Sequence, residues 1–453
     1  MQGTSSPVQQ NIVLKIFVIA ALVILLLIPS VLILAIVSER EGNMHAVERE
    51  LGALWGGQQT LGGPILSIPF MHHKKSKDGE ITTKRCYAHF LPKFLEISGQ
   101  IEPVERSRGI YSALLYSAQV TMDARFEDVS FDQWEIDPAD ILWDQAVLSV
   151  GMTNARGLVE PVGIAVDGRD LQVNTGSAEL QQYKAGVVAE APNLSPGAPF
   201  SVVVAMHVNG DGMLGLLPLG KETQVRLTSP WPHPKFEGAY LPVRHDVTDA
   251  GFTSEWSVLD VNRDFPQRWK CRTIEFQGAG FGVTLLKSVD LYQQVTRAVK
   301  YAVLFIGFTF MAIFLVEVLH PLRIHPVQYI LIGLALVLFY LLLLSLSEII
   351  AFPLAYAIAA GAVVVMLSVY VLAVARKAGP AFAISATIAG LYGFLYVLLQ
   401  LEDLALLLGS ITLFVVLAVV MYLTRKVNWY ELTSIGKKKA PDKPDSVPPV
   451  PKV

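Results

Sequence analysis

Four carboxylates stand in or beside apolar runs in the C-terminal third of this chain: Glu317, Glu348, Glu402 and Asp403. A charge held in hydrocarbon costs several kcal/mol unless it is paired, and acids lined up across a bilayer are the material of proton and ion relays. These four lie near the ends of their runs, not the centres, so they trace no path from one side to the other. Pairing at an interface or a helix end is the expectation for them. Around Glu317 the sequence supplies His320, Arg323 and His325. Glu317 with His325 is the combination that could sense or transmit something. Gln328, Tyr340, Ser345, Ser347 and Glu348 add polar groups nearby, as a transporter-like bundle or a membrane-embedded enzyme acting on lipid-linked substrates would need. They too sit mostly toward run ends, and no broken helix or inverted repeat accompanies them.

The region before these runs offers little more to reaction chemistry. Gly215-Leu216-Leu217-Pro218-Leu219-Gly220-Lys221-Glu222 approaches a phosphate-binding loop, but Glu222 replaces the Ser or Thr that would hold Mg²⁺, and it would repel phosphate. Gly278-Ala279-Gly280-Phe281-Gly282 lacks the third glycine at dinucleotide spacing and a helix after it. Gly-x-Ser-x-Gly, His-Glu-x-x-His and Cys-x-x-Cys do not occur. His72 and His73 are adjacent and would point to opposite faces of a strand, which argues against a shared metal. His89, His207, His233 and His245 are scattered through the same region and remain free to converge in space. The expectation is therefore no catalytic residue, no cofactor, no metal and no nucleotide. A net charge of −3 also argues against nucleic acid as a partner.

The elements that must position these residues are mostly membrane spans. Six apolar runs are long enough to cross about 30 Å of hydrocarbon as helices: Ile12 to Val37, Tyr301 to Leu319, Val327 to Leu346, Ala351 to Ala375, Ala381 to Leu399 and Leu404 to Leu423. The joints between the last five alternate in sign. Arg323, then Arg376 with Lys377, then Arg425 with Lys426 lie on one side, and Glu348, then Glu402 with Asp403, on the other. The basic side is the cytoplasmic one, so both termini are predicted in the cytoplasm. At 26 residues the first run exceeds a signal-peptide core of about 7 to 15, and no small-x-small cleavage site follows it, so it reads as an uncleaved signal anchor. Ala351, Ala355 and Ala359 form one stripe of small residues. Ala381, Ser385, Ala389 and Gly393 form another, and the two spans should pack as a close hairpin.

Residues 38–296 form the one long segment outside the spans, and their repeating signal has period two. Apolar or small residues alternate with polar ones from Tyr116 to Phe126, from Phe200 to Val208 and from Thr223 to Thr228. Asn209-Gly210-Asp211-Gly212 then predicts a chain reversal. A β-rich, sandwich-like domain follows, led in by a helix over Ser38 to Leu54 that continues from the first span. Cys86 and Cys271 are the chain's two cysteines, and both fall in this domain. An oxidising compartment would allow them to pair; two buried thiols are the other outcome. Residues 1–11 are a cytoplasmic N-terminus, and 425–453 a cytoplasmic, disordered tail whose Lys437, Lys438 and Lys439 could touch anionic lipid. Arg297 and Lys300, where the chain re-enters the membrane at the outer interface, are the expected place for domain and bundle to communicate.

Several motifs carry a family likeness. They are Arg106-Ser107-Arg108-Gly109-Ile110-Tyr111, Trp231-Pro232-His233-Pro234, Arg297-Ala298-Val299-Lys300-Tyr301, His325-Pro326-Val327-Gln328-Tyr329, the run Phe339 to Glu348, Glu402-Asp403 before Ala405 to Ser410, and Thr424-Arg425 with Trp429-Tyr430. Together they resemble the CreD family of bacterial inner-membrane proteins, over residues 12 to 432. Asn154 before Ala155-Arg156-Gly157, where an Asp is common, and Lys235 after Pro234, where a small residue is common, depart from its pattern. The resemblance implies a cell-envelope integrity protein, linked to an envelope-stress regulon, colicin tolerance and the response to β-lactams. It supplies a role but no catalytic residues. The expected fold is thus an α+β membrane protein with six transmembrane helices, one N-terminal and five C-terminal (residues 297–424), and a large periplasmic β domain. Its expected partners are membrane lipids and a periplasmic or inner-membrane protein.

Overall fold

A computed structural model of the chain describes residues 12–75, 81–176, 185–192, 194–276, 278–287, 291–319, 324–375, 378–401 and 404–425. The chain divides into two compact units. One comprises Met1–Glu41 with Asp290–Val453, and the other Gly42–Val289.

The first unit is helical. Helix α1 covers Ile12–Trp55, its residues from Gly42 onward being counted with the second unit, so the first span and the helical lead-in are one continuous element with Pro29 inside it. Then follow α2 (Leu291–Lys300), α3 (Ala302–Leu319), α4 (Pro326–Ser347), α5 (Phe352–Ala375), α6 (Ala378–Gln400) and α7 (Ala405–Thr424). Six of these seven are long and apolar enough to cross a membrane, α2 being the exception. Outward faces rich in Leu, Ile, Val and Phe, such as Phe17, Ile24, Leu338, Phe382 and Phe414, suit hydrocarbon as solvent. Between α5 and α6 the packing is close. Of the predicted stripe, Ala355 and Ala359 are fully buried on α5, whereas Ala351, just before the helix, is exposed. The stripe on α6 is different: Ala381 is buried, but Ala389 and Gly393 face outward. The packed face of α6 is instead Ala381, Ile384, Ile388, Tyr392 and Leu395. Helix α2, too short for a span, buries Tyr292, Val295, Ala298 and Val299 and packs on α4 and α6.

The second unit is built from two mixed sheets, of nine and eight strands. In the eight-stranded sheet the long hairpin Phe94–Arg108 with Tyr111–Phe126 is central, flanked by Glu222–Ser229 on one side and Phe200–Asp211 on the other. Buried and exposed residues alternate along Phe200–Asp211, and along Glu222–Ser229, as their sequence pattern predicts. Strand Gln59–Lys75 organises the nine-stranded sheet, pairing with Ile81–Phe90, Val147–Met152 and Met213–Leu216. One core draws on both sheets, with Ile97, Val120, Met122 and Val204 from one and Leu61, Ile65, Ile68 and Leu148 from the other. Trp256 crosses between them to meet Phe281, their ring centroids 5.7 Å apart. Burying a side chain of this size contributes on the order of 2 to 3 kcal/mol.

The predicted reversal at Asn209–Gly212 takes another form. Asn209 and Gly210 remain in the strand, paired with Ser117 and Tyr116. At Gly212, with φ of +59°, the chain bends and enters the other sheet as Met213–Leu216. That segment pairs parallel to Gln59–Leu61 and antiparallel to Phe281–Leu285. Leu214 and Leu216 become fully buried by this move, which a tight hairpin in the first sheet would not achieve.

Candidate functional site

Polar groups gather at three places: two within the helical unit and one on the β unit. At one end of the helical unit, Glu317 of α3 accepts from Lys15 of α1, from the Ile324 N–H at 3.1 Å and from the Tyr329 hydroxyl of α4 at 3.2 Å. Lys15 also donates to the Ile324 carbonyl at 2.9 Å and lies 5.8 Å from the centroid of the Tyr329 ring. Both charged side chains are about nine-tenths buried. The lysine is the counter-ion of the carboxylate, and two further donors bring its hydrogen bonds to three. His325 is not part of the cluster. Its Nδ1 accepts from the Val327 N–H at 3.2 Å, and Gln328 Oε1 accepts from the His325 N–H at 2.9 Å, so the pair caps the start of α4. Lys15 was the partner the sequence reading missed. A cation four residues into an apolar run was the available signal, since such a charge requires a counterion.

At the other end of α4, Glu348 is the C-terminal cap. Its Oε1 accepts from the Tyr292 hydroxyl at 3.3 Å and lies 3.9 Å from Arg40 Nε. Arg297 is half-buried on α2 and Lys300 is exposed in that helix's last turn. Glu402 and Asp403 lie outside the described residues. The hydroxyls that suggested a transport or catalytic bundle bond to their own helix: Ser345 to the Leu341 carbonyl at 3.0 Å and Ser347 to that of Leu344 at 2.9 Å. Tyr340, Tyr356 and Tyr392 gather around Phe339, and the Tyr356 hydroxyl donates to the Tyr392 carbonyl at 2.6 Å.

On the β unit the eight-stranded sheet turns a polar face outward. A shallow groove of about 310 Å³ runs across it, lined by Glu96, Asp123, Arg125, Ser201, Glu222 and Gln224 with Phe94 and Val203. Strand register places Glu96 directly opposite Asp123 and beside Gln224. Like charges in that relation destabilise a sheet slightly, so this face is not optimised for stability alone.

The histidines do not converge. His73 bonds Thr83 at 2.8 Å and Asp140 at 3.1 Å; His207 bonds Ser117 at 2.8 Å. His89 is buried, bonded to Ser67 Oγ at 2.8 Å and stacked on Trp269, and desolvation lowers its pKa to about 4. His233 and His245 sit against Trp231 and Phe236 respectively. Among the described residues no group of three or more His, Cys, Asp or Glu is placed to hold a metal ion. The glycine loop at Gly215–Glu222 is likewise unavailable to phosphate. The Lys221 and Glu222 N–H groups donate to the Pro92 and Lys93 carbonyls, and the Gly220 N–H donates to Thr223 Oγ1.

The motifs noted in the sequence have structural work in this fold. Gly109, with φ of +63°, turns the hairpin between Arg108 and Tyr111. Arg106 stacks over the Trp55 ring at 4.7 Å, and Arg108 pairs with Glu50. Trp231 Nε1 donates to the Leu286 carbonyl at 2.8 Å, and the Leu286 N–H to that of His233 at 2.9 Å. Asn154 caps a short turn by accepting from the Arg156 N–H at 3.1 Å, a task an Asp performs equally well. Gly157 packs where a Cβ would stand 2.4 Å from the Asn209 carbonyl oxygen.

Two solved structures show a distant likeness. An M1 zinc metallopeptidase from Deinococcus radiodurans is 12% identical with a TM-score of 0.22, covering 43% of this chain and 42% of that one. Yeast LTA4 hydrolase in complex with bestatin is 10% identical with a TM-score of 0.22, covering 49% and 34%. Scores this low carry no argument. In sequence, residues 11–430 match the family described as inner membrane protein CreD. The chain is also 34% identical over 424 residues to inner membrane protein CreD of Escherichia coli (strain K12), covering 92% of this chain and 93% of that protein. The chain belongs to the CreD family of inner membrane proteins.

Proposed function

We propose that this inner-membrane protein supports cell-envelope integrity, and with it tolerance of envelope stress, β-lactams and colicins, without catalysing a reaction. In this reading the β unit lies in the periplasm, both termini lie in the cytoplasm, and the polar face of the eight-stranded sheet meets an envelope component or a membrane-protein partner. One observation carries it. The described family motifs form turns, caps and ion pairs, while the groove at Glu96, Asp123, Ser201 and Gln224 leaves polar side chains facing outward. A transporter-like or enzymatic bundle acting on lipid-linked substrates is the competing reading. The Ser345 and Ser347 hydroxyls, turned back on their own helix, count against it.

In-cell photo-crosslinking from position 224 tests the proposal. A discrete adduct with a protein or wall component, reduced by charge reversal at Glu96 and Asp123, is the expected result. Hydrolysis of wall fragments by the purified protein would overturn the non-catalytic reading.

A further inference from the structure

We infer that Cys86 and Cys271 close a disulfide that fastens the segment around residues 260–276 onto strand Ile81–Phe90. This rests on the β unit reaching an oxidising compartment, as proposed above. Both residues are thiols in the structure, one buried and one exposed.

The strand pairing brings them together. Arg268–Lys270 runs antiparallel to Ile81–Phe90, with Arg268 opposite Phe90, Trp269 opposite His89 and Lys270 opposite Ala88. The Cys271 N–H extends the ladder, donating to the Tyr87 carbonyl at 3.0 Å. Cys86 is the next residue on that strand. Strand spacing and rise then put the two Cα atoms about 6 Å apart, inside the range that a disulfide spans. In a regular strand Cys271 would share the face of Tyr87, not of Cys86. At Cys271 the backbone departs from the strand, with φ of +52°, a conformation that few non-glycine residues adopt. That departure takes the Cys271 side chain off the face of Tyr87 and leaves the Cys86 thiol as its neighbour. Desolvation, and then the Cys86 neighbour, push the Cys271 thiol up to about 12.

The chemistry needs an oxidant of the disulfide class. The exposed Cys271 gives its proton to solvent and attacks one sulfur of that disulfide, a slow step at neutral pH because the raised pKa holds the proton on; the S–S bond breaks and one thiolate leaves. Cys86, as thiolate, then attacks Cys271 Sγ and expels the second. Two protein thiols become one S–S bond, and the oxidant leaves as two thiols carrying both electrons and both protons.

Full-length protein in detergent, incubated with oxidised glutathione and alkylated, tests the closure by mass spectrometry. The expected product is a Cys86–Cys271 linked peptide pair, two hydrogens lighter than the reduced pair, with both sites closed to alkylation. Cys86→Ser should stop at glutathione attached to Cys271. Stable glutathionylation of Cys271 in the wild type, with Cys86 left free, would overturn the inference. Acid-trapped cells separate the two ideas. An oxidised pair supports both, whereas a pair reduced in cells that closes readily in detergent supports the pairing and contradicts the periplasmic placement.

Discussion

Lys15, near the start of the first span, donates to Glu317, near the end of the next, and the two charges are buried against each other and Tyr329. The pair ties α1 to α3 and α4 in a place where neither ion could remain alone. Removing one partner of a buried ion pair costs about 3 kcal/mol or more, because the other charge is left uncompensated. Lys15→Met and Glu317→Gln should each lower the melting temperature in detergent, and the double variant should recover most of the loss. Additive losses would show that the two residues act independently.

His89 supplies an acid-sensitive contact. Burial lowers its pKa from 6.5 to about 4, so the fold holds the ring neutral beside Ser67 and Trp269. The unfolded chain binds a proton first, and the stabilisation is fully present above pH 6.5 and lost progressively as pH falls toward 4. It amounts to about 3 kcal/mol. Denaturant unfolding of the full chain across that interval should show the decline, and His89→Gln should flatten it.

Asp211 works in the opposite direction. It is half-buried, and desolvation raises its pKa above 3.8. The folded protein therefore favours the protonated acid, and stability declines as pH rises from 3.8 through the raised value. Asp211→Asn should melt above the wild type at neutral pH, with the advantage vanishing in acid. An equal advantage at all pH values would point to packing in place of charge.

Gly157 tests the structural account of its motif. A Cβ there would meet the Asn209 carbonyl oxygen and Gln59 Nε2, each at 2.4 Å. Gly157→Ala should destabilise the β unit by about 1 to 3 kcal/mol through overpacking. Arg156→Ala, on an exposed side chain, should be nearly neutral. Thermal unfolding of both variants makes the comparison.

The spans and the period-two strands were readable because each follows from one residue's solvent: lipid around Phe382, or core on one side of Val202 and water on the other. Relations between distant residues were not. Asn209-Gly210-Asp211-Gly212 shows that the backbone bends, but not that Leu214 then leaves for another sheet. Lys15 carries no mark of Glu317, 302 positions away. Ala389 and Gly393 look like packing residues, yet Ile388 and Tyr392 hold the buried face, because shape and volume at a contact involve both helices. Helix α2 has only ten residues, too few for a periodic window, although Tyr292, Val295, Ala298 and Val299 fall on one of its faces.

Fusing two reporters, one active only after export and one active only in the cytoplasm, at Gly168 in the β unit and at Ala378, the first residue of α6, tests the account most directly. Export activity at Gly168 with cytoplasmic activity at Ala378 is the expected pattern. A cytoplasmic Gly168 fusion would contradict the account, since the β unit would then never meet the envelope outside the inner membrane.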